Sequence, residues 1–67
     1  MNTIRSVRDL SDTEIIKIME GAQGQVGLND ALESQVVVNT GRCIVAPEPT
    51  LFDDIRNRYR ELVEKKA

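Results

Sequence analysis

The 67-residue chain has no histidine, no tryptophan and a single cysteine, and Phe52 and Tyr59 are its only aromatics. Each shortage closes a class of explanation. Without histidine the commonest general base is missing. One cysteine with no histidine removes the usual zinc ligand sets, and Cys43 alone cannot close an intrachain disulfide. No apolar run approaches the ~20 residues that span a bilayer. The stretch from Met1 to Arg8 has no hydrophobic segment of the signal-peptide kind. The expectation is therefore no enzyme, no cofactor, no metal and no membrane. A cytoplasmic location goes with it, in a host cell or in a virion if the gene is phage-borne, and a lone reduced thiol agrees.

What is present is 40% hydrophobic and 30% charged, with a net charge of −2. A domain near 60 residues buries only about 60% of its unfolded surface. A core of that size rarely supplies more than roughly 3–5 kcal/mol, so a small fold without metal or disulfide calls for tight packing or a partner chain. Weak acidity argues against a general nucleic-acid binder. The basic groups nonetheless concentrate in the second half, where Arg42, Arg56, Arg58, Arg60, Lys65 and Lys66 meet five acidic residues.

Along the chain, residues 1–9 read as an N-terminal arm and 10–67 as one α+β domain. Ser11-Asp12-Thr13-Glu14 has the form of a capping box, and Leu10 and Ile15 have the spacing of a hydrophobic staple. Ile15, Ile18, Met19 and Ala22 continue with helical period, which predicts a helix from Ser11 to Glu20 or Ala22. Gly21, Gly24 and Gly27 end it. This GxxGxxG run follows a helix rather than a strand and lacks a Lys-Ser/Thr pair, so it reads as a connection and not as a phosphate cradle. Asn29–Glu33 reads as a short helical turn capped by Asn29.

Two β-branched runs follow, Gln35–Val38 and Cys43–Ala46, separated by Asn39-Thr40-Gly41-Arg42. This spacing predicts a β-hairpin over Val36–Ala46, with Gly41 supplying a positive φ in the turn and Pro47 and Pro49 ending the second strand. Thr50 then opens a helix to Lys65 whose Leu51, Phe52, Ile55, Tyr59, Leu62 and Val63 share a face. Asp53 and Asp54 lie in its first turn and the lysines in its last, which suits the helix dipole. Asp54–Arg58, Arg60–Glu64 and Glu61–Lys65 are spaced as i,i+4 pairs. The expected architecture is helix–loop–β-hairpin–helix (αββα).

That order, in topology and length, resembles the small phage head–tail joining proteins, and the size and acidity are similar to those of small phage-encoded enzyme inhibitors. Fold analogy implies no site residues. The acidic pairs Asp12/Glu14 and Asp53/Asp54 are explained by their first-turn positions, and Cys43 reads as a small buried hydrophobe.

Val36, Val37 and Val38 would put apolar side chains on both faces of a two-stranded hairpin, which is marginal alone. The functional expectation is a protein-binding accessory, inhibitor or assembly module, associating with itself or with a larger protein. Val37, Arg42 and Ile44 would form the contact, with Arg56 and Arg60 as rim charges. Two alternatives accompany it: a nucleic-acid-binding regulator whose dimer gathers Arg42, Arg56 and Arg60 into a strip, and, by fold analogy alone, a virion head–tail joining protein.

Overall fold

The computed structural model describes residues 3–25 and 27–66. In order they form strand β1 (Thr3–Ile4), a 3-10 turn (Val7–Asp9), helix α1 (Asp12–Gly21), helix α2 (Asn29–Thr40), strand β2 (Cys43–Ile44) and helix α3 (Leu51–Lys66). Helix α1 lies against both other helices. The two short strands pair in parallel, Thr3 opposite Cys43 and Ile4 opposite Ile44.

The start of α1 follows its sequence signal closely. Ser11 Oγ accepts from the Glu14 amide at 3.2 Å, and Glu14 Oε1 accepts from the Ser11 amide at 2.9 Å. The predicted stripe is buried, with Ile15, Ile18, Met19 and Ala22 all under a tenth exposed. In α3, Leu51 and Ile55 are fully buried and Phe52, Tyr59 and Leu62 half-buried, whereas Val63 is 46% exposed. The Thr50 hydroxyl donates to Asp54 Oδ2 at 3.0 Å just ahead of the helix.

The β-hairpin does not form, and with it the αββα class and the likeness to head–tail joining topology fall away. Gln35–Val38 lie inside α2, and Cys43–Ile44 pair with β1 rather than with them. Within Ala31–Thr40 the half-buried or buried positions are 31, 32, 35, 36, 39 and 40, a helical period and not an alternating one. Energies explain the choice. Three valines in a helix cost roughly 0.5 kcal/mol each relative to alanine. Fully burying Leu32 and Val36, one turn apart, returns about 1.5–3 kcal/mol apiece. Local bonds add to this: Thr40 Oγ1 donates to the Val36 carbonyl at 2.6 Å and Asn39 Nδ2 to the Gln35 carbonyl at 2.8 Å.

Gly41 keeps the positive φ expected of it, 69°, but uses it to terminate a helix, its N–H donating to the Val37 carbonyl at 2.9 Å. Asn29 is also not the cap. Leu28 occupies that position without a side-chain bond, and Asn29 Oδ1 instead accepts from Arg56 Nη2 at 2.6 Å.

Of the segment expected as an arm, residues 1–2 lie outside those described, while Thr3–Ile4 supply β1 and Ile4 is fully buried in the core. The Arg5 carbonyl accepts from the Glu48 amide at 2.8 Å, extending the contact between the segments beyond the strands. Between them Ala46 adopts φ 47°, the one non-glycine residue with positive φ among those described.

Candidate functional site

Two apolar grooves stand out on the surface. The first is an open depression of about 500 Å³ between α2 and β2, lined by Glu33, Ser34, Val37, Val38, Cys43 and Ile44. It exists because α2 turns Leu32 and Val36 inward, which leaves Val37 (41% exposed) and Val38 (75% exposed) on the outer side. Beside them runs β2. Its Val45 N–H donates to the Ile4 carbonyl at 3.2 Å. Successive residues of a parallel ladder turn their amides to opposite sides, so the N–H and C=O of Ile44 face away from β1, at an open strand edge. Cys43 is exposed at the rim of this groove rather than buried.

The second groove lies between α1 and α3. It is an open depression of about 440 Å³ lined by Met19, Arg56, Tyr59, Arg60, Val63 and Glu64. A smaller depression formed by Ile16, Glu20, Tyr59, Leu62 and Val63 continues it. Helical spacing accounts for the grouping, since residues 56, 59, 60, 63 and 64 recur at intervals of three and four along one flank of α3.

The five sequence-predicted contact residues thus separate. Val37 and Ile44 meet in the α2–β2 groove, brought together by a helix and a strand rather than by one hairpin. Arg56 and Arg60 meet in the α1–α3 groove, which shares no lining residue with the first. Arg42 belongs to neither. Its Nη2 donates to the Asp9 carbonyl at 3.1 Å and to Glu14 Oε1 and Oε2 at 3.2 and 3.3 Å. It thereby fastens the turn after α2 to the start of α1. No spacing rule in the sequence connects residues 14 and 42, so this role was not legible there.

The remaining arginines are also largely engaged. Arg56 pairs with Asp53 at 3.0 Å in addition to Asn29. Arg58, expected to pair with Asp54, bridges α3 to α1 through Asp12 at 3.1 Å and meets Glu61 at 3.3 Å. The hydrogen bond and charge of Asp12, with a smaller part from Glu61, hold the Arg58 guanidinium above its ordinary basicity. Arg60 and Glu64, expected as an i,i+4 pair, make no ion pair among the described residues.

Carboxylate electrostatics centre on the helix starts and not on the grooves. The Ser11 amide, with help from Arg42, holds the Glu14 carboxyl below the ordinary glutamate range. The Arg5 and Ser6 amides, at 2.9 and 3.2 Å from Oδ2, do the same for Asp9. Both shifts arise from capping geometry. Among the described residues no group of three His, Cys, Asp or Glu side chains is placed to hold a metal ion, and no helix is long and apolar enough to cross a membrane. Comparison of the chain with protein-family models, with curated proteins and with solved structures finds no match in any of the three.

Proposed function

We propose that the chain is a non-enzymatic protein-binding module that acts sterically, on itself or on a larger protein. The observation that carries this reading is the α2–β2 groove, where Val37, Val38 and Ile44 line a concavity beside a strand edge that pairs with no other strand among the described residues. Apolar side chains offer affinity there, and the outward-facing N–H and C=O of Ile44 offer an extended segment two hydrogen bonds of fixed direction. Glu33 at the rim supplies orientation. A cytoplasmic setting, in a host cell or a virion, fits a chain of this composition with one unpaired thiol.

The nucleic-acid alternative draws less support. A strip of Arg42, Arg56 and Arg60 requires Arg42 to leave Glu14 and Asp9, and Arg56 to leave Asp53 and Asn29, before phosphates are met.

The test is Val37→Asp. Because Val37 is exposed, the variant is expected to keep the helical circular dichroism of the parent and melt within a few degrees of it. It is expected to lose the proteins that the parent retains in affinity capture, quantified by mass spectrometry. Retention of the same proteins by the folded variant refutes the assignment of this groove.

A further inference from the structure

The α1–α3 face has a property that the α2–β2 groove lacks: its charge is arranged to match a rotated copy of itself. Its apolar centre is made by Ile16, Met19, Tyr59, Leu62 and Val63. Arg60 lies two residues before Leu62 and Glu64 two residues after it, on the same flank of the helix. A basic group and an acidic group therefore stand about equally far, roughly 3 Å along the axis, on either side of the Leu62 level. Both are exposed and neither has an ion-pair partner among the described residues. The arginine precedes the glutamate, which is the less favourable order for pairing within a helix.

We infer that this face binds a second copy of the chain, α3 against α3 in antiparallel orientation, about a two-fold axis at the level of Leu62. A two-fold interface must be self-complementary, because each residue meets its counterpart's reciprocal position. An antiparallel copy centred on Leu62 sets Arg60 of each chain against Glu64 of the other, so one geometry forms two ion pairs. The same rotation lays the two Val63 side chains together over the apolar centre, covering a valine that the monomer leaves 46% exposed. A partner of uniform charge would satisfy only one of the two ions.

The patch is narrow. It belongs with interfaces below about 1,200 Å² in total, so dimer and monomer exchange with concentration. The inference makes the self-association half of the proposed function specific, but it rests on a different face from the α2–β2 groove, so either can fail alone.

Sedimentation velocity over a concentration series, with the intact chain, tests it. The parent is expected to pass from monomer to dimer as concentration rises, and Val63→Lys to remain monomeric with unchanged helix content. Arg60→Glu sets acid against acid at both pairing positions and Glu64→Arg sets base against base, so each variant alone is expected to lose the dimer. Mixed one to one, they are expected to recover it as a heterodimer, and the double variant R60E/E64R to recover it alone. A parent that stays monomeric at every concentration overturns the inference. So does a dimer that survives Val63→Lys, or single charge variants whose mixture stays monomeric. Val37→Asp is expected to dimerise like the parent, which separates this face from the proposed groove.

Discussion

Replacing Arg42 should show how much a single cross-chain tie contributes to so small a fold. One guanidinium nitrogen serves three acceptors at 3.1–3.3 Å, and the Arg42 and Glu14 side chains are only 26% and 28% exposed. Exposed ion pairs contribute about 0.2–1 kcal/mol, and hydrogen bonds to charged groups about 1.5–3 kcal/mol. The two contacts to Glu14 are half-buried and the one to Asp9 is exposed, and all are longer than the 2.7–2.9 Å of strong charge-assisted bonds, which places Arg42→Met near 1–1.5 kcal/mol of lost stability, on the order of a third of what such a core supplies. At about 4–8 °C per kcal/mol for a domain this size, the melting temperature should fall by roughly 5–10 °C.

Glu14→Gln keeps the capping box, since glutamine also serves at that position, and removes only the charge. A double-mutant cycle of R42M and E14Q therefore isolates the ion pair, read by urea unfolding followed at 222 nm. The cycle also has a required pH dependence. Glu14 is held below its ordinary range when folded, so its contribution is complete above the ordinary glutamate range and is lost as pH falls through the lower folded-state value. Coupling should be present at pH 7 and decline as acid protonates Glu14. A coupling energy that is nil at pH 7, or unchanged by acid, refutes the argument and assigns Arg42 to the Asp9 carbonyl and to packing alone.

Three further outcomes follow from the fold. Val38→Ala, at a 75% exposed helical position, should raise stability by a few tenths of a kcal/mol in denaturant titration, whereas a strand would be weakened. Leu32→Ala should cost about 2–5 kcal/mol and leave the chain substantially unfolded at 37 °C by circular dichroism. Gly41→Ala should destabilise by about 1 kcal/mol, and Ala46→Gly should be neutral or stabilising, because φ is 69° at the first and 47° at the second. Thermal melts of the pair with opposite signs check both.

The parts of the structure legible in the sequence are those whose signals are local. Ser11 and Glu14 satisfy each other three residues apart, and the stripe from Ile15 to Ala22 needs nothing beyond its own helix to be recognised. The second β-branched run does supply a strand at Cys43–Ile44, and the expectation of a first strand over residues 35–38 fails for an equally specific reason. Consecutive valines favour strands, and a glycine with positive φ serves a hairpin turn and a helix terminus equally well. The deciding fact was the burial of Leu32 and Val36 against α1, a tertiary term larger than the valine penalty. The Leu32–Val36–Thr40 spacing carried that information, and the Val triplet obscured it. For the candidate site, Arg56 and Arg60 could be placed on one flank by counting residues. The meeting of Val37 with Ile44 and the capture of Arg42 by Glu14 depend on how α2 returns the chain to its N-terminal strand, which no short-range pattern encodes.

The parallel pairing of Thr3 with Cys43 has a consequence for synthesis. A parallel ladder needs a crossover between its strands, and here α1, the glycine loop and α2 make up that crossover, about forty residues long. At roughly 5–20 residues per second, β1 is synthesised seconds before β2. Ile4, whose side chain ends fully buried, has no strand to lie beside until Ile44 has been made. The parallel pair is therefore completed only after both helices of the crossover have been made, and the strand contact that covers Ile4 waits on the closure of a loop of about forty residues.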